Sequence, residues 1–587
     1  MKNLLLCSLL LSAATCTAGT PLDSIPALEP VPGFIVENRE IIINPVPVSM
    51  RYTGGRTDLS RGFDLSSVEA QYLDDFNGLV KSENGIPVSV RLSANNAESP
   101  IGRYTLSLNS DGAQITADSS DGVFYAVCTL REISANAQEP QSVPCVDIDD
   151  YPAFRFRGVV EGFYGTPWSH ETRLSILDHM GRYKMNSYVY GPKDDPYHNV
   201  PDWRKPYPAD EAAKISELCS RAERNHVNFI WAIHPGGDIK WNREDFDFLL
   251  AKFDAMYNLG VRQFAVFFDD IQGEGTDSRK QAELLNSLNR EFVRTKPDVK
   301  HLIVCPTDYS QAWAGAGENG QLAIYGRELD KDIEVFWTGA EVCSDVVRPD
   351  RDFVNTRIQR PSLTWWNFPV SDYCRESLQL GPSYTLDPTL TSADMAGILT
   401  NPMEHGEASK AAMYSIADYA WNPAAYNALD SWYRSMPVQM PGAPEAYATI
   451  AIHACDPQKW YRKNESWNVD VFDCDNYTPK QYERLKQEFL KLKAAPAEIL
   501  SHGGNPALAA ELAPWLMQAE NLADRGLLAL ELIKLRESGD TAAFRAAYNR
   551  LRLLNDIQQS TYMKHRIGTL RLQPFITATL QKLNPEK

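Results

Sequence analysis

The chain has 587 residues, 43% of them hydrophobic and 23% charged. At roughly 100–200 residues per domain this predicts three or four globular domains, and it excludes a disordered chain, a fibrous one, or one dependent on disulfide staples. Fifty-eight basic against 76 acidic residues leave a net charge of −18, the wrong sign for a general nucleic-acid binder. Thirteen Trp and 26 Tyr suit a core, an interface or sugar-stacking platforms, and composition alone does not choose.

Residues 1–18 read as a signal peptide: Lys2 gives a positive start, an apolar run follows from Leu4 to Ala14, and Ala18 marks a small-residue edge. The run is too short to span a membrane, which takes about 20 apolar residues. The expected location is therefore periplasmic or extracellular, with a lipid on Cys16 as the alternative anchor. No later run reaches transmembrane length. Eight cysteines remain after residue 18. Cys128 with Cys145, or Cys455 with Cys474, could pair, but buried thiols are the better reading. No Cys/His spacing suggests zinc.

Residues 20–150 read as a small α/β domain. Strand-like segments lie at 40–43, 88–92 and 104–108, a short helix follows at 122–132, and 147–151 look like a linker. Residues 151–435 change texture to strands alternating with helices. Strands are predicted at 156–160, 187–190, 227–230, 263–268, 302–305, 335–337, 363–366 and 397–400, with helices such as 210–224, 245–259 and 279–295 between them. Eight such units match a (β/α)8 TIM barrel, and no Gly-rich phosphate loop argues for a doubly wound sheet. Residues 436–587 begin as a Pro-, Asn- and Asp-rich linking region. Helices follow at 482–494, 508–524, 525–538, 541–559 and 573–583, a C-terminal helical bundle.

The most informative segment is Phe264-Ala265-Val266-Phe267-Phe268-Asp269-Asp270. A strand this apolar belongs in a covered sheet and ends in two carboxylates, at the end of a barrel where active sites lie. Neighbours in a strand point to opposite faces, so both reach one pocket only if the chain is already turning. The other predicted strand ends carry Gly162 and Tyr164, Lys193, the segment 234–238, Tyr309 and Trp313, Thr338, Asn367 and Asp372, and Asn401. Aromatics to stack on a ring and amides and carboxylates to hold hydroxyls describe a sugar site. No loop has the ligand spacing of a dedicated calcium site, so no metal is expected. Adjacent carboxylates suit ordinary glycoside hydrolysis poorly, because its two acids flank the bond about 5–9.5 Å apart. They suit a substrate carrying its own nucleophile, such as a 2-acetamido group. Like-charge repulsion within the pair is expected to raise one member's pKa, as a general acid requires.

The run Arg157-Gly158-Val159-Val160-Glu161-Gly162-Phe163-Tyr164-Gly165-Thr166-Pro167-Trp168, with segments 190–196 and 268–273, resembles the retaining β-N-acetylglucosaminidases of glycoside hydrolase family 84. That family includes O-GlcNAcases and proteins labelled hyaluronidases, and the chain is most like its Bacteroides-type members. The resemblance covers the whole chain. It implies an N-terminal α/β domain, a catalytic barrel, a helical C-terminal region, and substrate-assisted catalysis without a cofactor on GlcNAc-bearing glycans or glycoproteins. It also assigns positions. Asp269 matches the residue that orients the acetamido group, Asp270 the general acid and base, and Tyr309 the phenol that bonds the acetamido oxygen. Cys305 and Trp365 match the pocket round its methyl group, Lys193 and Gly162 the holders of sugar hydroxyls, and Asn367 and Asp372 those at positions 4 and 6. Tyr164, Trp313 and Asn401 fall on the remaining rim. The rival readings are an endo-acting hyaluronidase and a carbohydrate-binding protein without catalysis on the same scaffold.

Overall fold

Residues 40–93, 101–135, 141–193, 195–315, 317–454 and 472–585 are described in the computed structural model. The expected signal peptide, Cys16 and Cys455 lie outside them. A six-stranded mixed sheet comes first, made of β1 (Ser49–Asp58), β2 (Phe63–Asp64), β3 (Ile86–Leu92), β4 (Tyr104–Asn109), β5 (Gly112–Ala117) and β6 (Ser142–Asp150). Its spatial order is β1-β6-β4-β5-β3-β2, and α1 (Ser120–Ala135) packs its apolar face on it. The segment 40–43 is not a strand, although Ile41 and Ile43 are buried. Residues 147–150, expected as linker, are the end of β6. Their acids had masked the strand, and they are matched across it: Asp147 pairs with Arg51 of β1, and Asp149 with Arg103 beside β4.

The eight predicted barrel strands all form. They are β7 (Phe156–Glu161), β8 (Ser187–Tyr190), β9 (Asn228–Ile233), β10 (Gln263–Phe267), β11 (Ile303–Cys305), β12 (Glu334–Trp337), β13 (Ser362–Trp366) and β14 (Met395–Thr400). Each pairs in parallel with the next, and β14 closes on β7. Strands buried on both faces must be apolar throughout. One set of side chains, including Val160, Ile230, Phe267, Phe336 and Leu399, fills the barrel. The alternate set, including Val159, Trp231, Val266 and Trp366, meets the surrounding helices. Those helices are α2 (His170–Arg182), α3 (Ala209–Arg224), α4 (Arg243–Asn258), α5 (Ser278–Glu291), α6 (Gln321–Glu328), α7 (Arg348–Ile358) and α8 (Gly406–Trp421).

The rest is helical: α9 (Ala428–Gln439), α10 (Pro444–His453), α11 (Pro479–His502), α12 (Pro506–Ser538), α13 (Thr541–Tyr562) and α14 (Leu572–Lys582). The expected linking region after 436 is thus partly helix, since α10 buries Tyr447 and Ile450. The two helices predicted at 508–524 and 525–538 are one. Gly526 does not break α12; it lets α11 approach, because a Cβ there would sit 2.2 Å from the Phe489 ring. The cysteines within the described residues are buried free thiols, so Cys128 and Cys145 do not pair. Cys128 instead points at the Gly181 carbonyl and Cys145 at the Thr57 hydroxyl. No helix among the described residues is long and apolar enough to cross a membrane.

Candidate active site

The chain leaves β10 at Phe267 and turns at once. Asp270 has φ +56°, a left-handed conformation that Asp tolerates better than most residues. That turn lets both adjacent carboxylates face one cavity of about 210 Å³ at the C-terminal end of the barrel. Eleven of the twelve predicted site residues line it, namely Gly162, Tyr164, Lys193, Asp269, Asp270, Cys305, Tyr309, Trp365, Asn367, Asp372 and Asn401. The twelfth, Trp313, does not. It stands 47% exposed beside the mouth, its ring edge-on to Tyr309 with centroids 4.9 Å apart.

The two carboxylates sit in unlike settings. Asp269 is buried, and its Oδ2 is bonded to the Lys193 ammonium. His234 Nε2 lies 2.7 Å from the Asp269 carbonyl and 3.4 Å from Oδ1. Burial alone would raise the Asp269 carboxyl, but Lys193 and His234 outweigh it and hold the group well below the usual carboxylate range. The expected rise of one member of the pair is thus not at Asp269, the member matched to the acetamido group. Oδ1 has no full hydrogen-bond partner among the described residues and remains a free acceptor. Asp270 is the more exposed of the two. Its Oδ2 accepts the Tyr164 hydroxyl at 2.8 Å and its Oδ1 the Tyr309 hydroxyl at 2.7 Å. The Tyr309 phenol, matched in sequence to an acetamido contact, is here a donor to Asp270. Burial and the neighbouring carboxylate push both phenols up, so they remain donors.

Opposite the acids, Asn367 Oδ1 accepts from Trp365 Nε1 and from Asn401 Nδ2, each at 2.9 Å, while its own Nδ2 donates to the Val342 carbonyl at 2.8 Å. One N–H of Asn367 is left over, and Asn401 Oδ1 has no partner among the described residues. Asp372 Oδ2 accepts the Tyr164 backbone N–H at 3.0 Å, tying the ends of β13 and β7 together. Burial raises the Asp372 carboxyl above its usual value. Gly162 has to be glycine, because a Cβ would sit 2.4 Å from the Trp365 ring. The floor is apolar, with Trp365 and Cys305 beside Phe267 and Phe336 of the barrel interior. Thr338, Val342 and Val370 also line the cavity and His234 backs it; of these, Thr338 and the segment holding His234 were read from sequence as polar strand ends, without a role in the site. The segment 234–238 carried the signal for His234 as a polar strand end; Val342 and Val370 sit in irregular loops that no periodicity locates. The only group of potential metal ligands among the described residues is Asp473, Cys474 and Asp475 in the helical region. Lys582 and Arg536 already neutralise its acids.

A closed parallel barrel with paired carboxylates at a strand end, in a cavity walled by aromatics and amides, is the architecture of a barrel glycoside hydrolase. The family model for β-N-acetylglucosaminidase matches residues 157–452, half of the chain. The model for domain 2 of glycosyl hydrolase family 20 matches 40–151, and the one described as hyaluronidase post-catalytic domain-like matches 473–576. The chain belongs to the β-N-acetylglucosaminidase family, glycoside hydrolase family 84. It is 33% identical over 271 residues to the protein O-GlcNAcase of Rattus norvegicus, a match covering 45% of this chain and 29% of that protein. The chain therefore spans less than a third of that relative's length. Among solved structures, CpGH84B superposes with a TM-score of 0.82 at 30% identity, covering 92% of this chain and all of that one. CpGH84D gives 0.81 at 26% identity over 94% of this chain and all of that one.

Proposed function

We propose that the protein is a retaining exo-β-N-acetylglucosaminidase that removes terminal β-linked GlcNAc, O-GlcNAc on Ser and Thr included, by substrate-assisted catalysis. The observation that carries this reading is the turn at Asp270, which brings two neighbouring carboxylates to one cavity with different partners, an ammonium on Asp269 and two phenols on Asp270. Asp269, kept ionised by Lys193, offers Oδ1 to the acetamido N–H. It stabilises the positive charge that develops as the acetamido oxygen attacks the anomeric carbon. Asp270, near the mouth, gives its proton to the leaving oxygen and later takes one from the water that opens the oxazoline. The Tyr164 and Tyr309 hydroxyls steady whichever oxygen of Asp270 is charged, and Tyr309 is placed to turn toward the acetamido oxygen. Asn367, Asn401 and Asp372 hold the far hydroxyls. The cavity ends on the apolar floor of Trp365 and Cys305 above the filled barrel interior, which suits a terminal ring and favours the exo reading over an endo-acting hyaluronidase.

Product analysis tests this. NMR of an aryl β-N-acetylglucosaminide digest is expected to show the β-anomer of free GlcNAc first, with no shortening of hyaluronan. Equal rates on a substrate lacking the 2-acetamido group would overturn the mechanism. We also read the chain as exported, on the pattern of residues 1–18; N-terminal sequencing of protein recovered outside the cytoplasm tests that.

A further inference from the structure

We propose that His234 is a positioning residue for Asp269, an inference that rests on the reading of Asp269 given above. His234 follows β9 and is 6% exposed. It does not line the cavity and so touches no substrate. Its Nε2 is 2.7 Å from the Asp269 carbonyl, which can only accept, so the hydrogen resides on Nε2. Nδ1 has no partner among the described residues, which leaves Asp269 as the imidazole's fixed attachment. The His234 backbone is itself held, its N–H donating to the His198 carbonyl at 2.7 Å.

The two loops are seated on each other. A Cβ on Gly236 would come within 2.6 Å of Ile271 Cδ1 and 3.0 Å of Phe268 Cδ1, and one on Gly275 within 2.0 Å of the Gly236 carbonyl. His234 thus pins the peptide plane between Asp269 and Asp270, just before the backbone enters its left-handed turn. Without that anchor the backbone at Asp269 is free to shift, and its carboxylate, whose Oδ1 also lies 3.4 Å from Nε2, can move off Lys193 and away from the acetamido group. A displacement of about 1 Å in such a group costs on the order of 10²-fold in rate.

Steady-state kinetics on an aryl β-N-acetylglucosaminide, per folded molecule, provide the test. His234→Leu is expected to lower kcat by about 10–10²-fold with KM nearly unchanged. His234→Gln, which keeps an N–H at similar reach, should recover most of that loss. The decisive measurement is the cycle with Asp269→Asn. If His234 acts through Asp269, His234→Leu adds little in the Asp269→Asn background. The same factor in both backgrounds, or a Gln variant as slow as the Leu variant, would overturn the proposal. An Asp269→Asn enzyme of full activity would instead overturn the functional reading, and this inference with it.

Discussion

Among the described residues two Lys–Asp pairs are buried, and they are built differently. At the junction of the N-terminal sheet and the barrel, Lys184 Nζ lies 3.2 Å from Asp150 Oδ2, both side chains fully buried. Every valence there is filled. Asp150 also accepts the Tyr104 hydroxyl at 2.6 Å, Trp421 Nε1 at 2.7 Å and the Val48 N–H at 2.9 Å, and Lys184 faces the Trp421 ring at 4.5 Å. In the site, Lys193 and Asp269 bond directly, yet Asp269 Oδ1 lacks a full partner and both residues border the cavity. The lysines respond in opposite directions. Burial takes Lys184 below its usual pKa, whereas for Lys193 the burial effect is outweighed by Asp269, with Tyr164 and Asp270 behind it, and the group is raised. A saturated pair joins domains; a pair with an acceptor in reserve can bind a substrate.

The largest expected effects separate the two pairs by kind. Asp270→Asn should lower kcat/KM by 10²–10⁴-fold on substrates with poor leaving groups, and far less on activated aryl glycosides that need little protonation. Asp269→Asn should cost about 10²–10³-fold on both, since charge develops in either case. Neither should unfold the protein. Asp150→Asn, by contrast, should leave the rate per folded molecule alone and destabilise by about 3–5 kcal/mol, because it strands a buried lysine. Denaturant melts set beside kinetics check the contrast. If Asp150→Asn proved as inactive as Asp269→Asn while fully folded, the distinction would collapse.

Lys193→Ala sharpens the contrast from the other partner. Asp269 is held low by Lys193 against burial. Without the ammonium, burial is opposed by His234 alone, and the carboxyl rises toward its ordinary value of about 3.9. The reaction needs the ionised form, so the acid limb of the kcat/KM profile should move to higher pH, with more activity lost in acid than at neutrality. A uniform loss at every pH would mean that Lys193 serves only to hold the sugar.

How much of this was legible in the sequence follows from which signals are local. The barrel strands are apolar over their whole length, and their ends are chemically distinctive, so all eight and most of the cavity could be read in advance. The Asp269-Asp270 turn was inferred from the alternation rule, and the φ of Asp270 bears that out. What could not be read is long-range. Asp147 and Asp149 make a strand look like a linker until their partners arrive, Arg51 from β1 and Arg103 from just before β4. Gly526 looks like a break until Phe489 is seen filling the space beside it. The like-charge argument for the acid pair rested on neighbours in sequence, whereas the groups that dominate Asp269, Lys193 and His234, come from other strand ends.

The smallest predicted effect concerns a second link across the same junction. His226, after α3 in the barrel, places Nδ1 2.7 Å from Asp121 Oδ1 and Nε2 3.4 Å from Asp75 Oδ1, both acids in the N-terminal domain, with its ring stacked on Phe124. Burial opposes the charged imidazole, but the two carboxylates outweigh it and raise its pKa to about 9. A raised histidine contributes stability that is complete below the unfolded-state value of about 6.5 and disappears as the pH rises through about 9. At 1.36 kcal/mol per pKa unit the contribution is at most about 3 kcal/mol. The melting temperature of the wild type should therefore fall over that alkaline window, and His226→Gln should lower it at neutral pH while flattening the decline. Activity per folded molecule should not change, since His226 bonds across the domain junction and does not line the cavity. An unchanged slope in the variant would show that the imidazole is not charged in the folded protein, leaving the Lys184–Asp150 pair as the junction's ionic link among those compared.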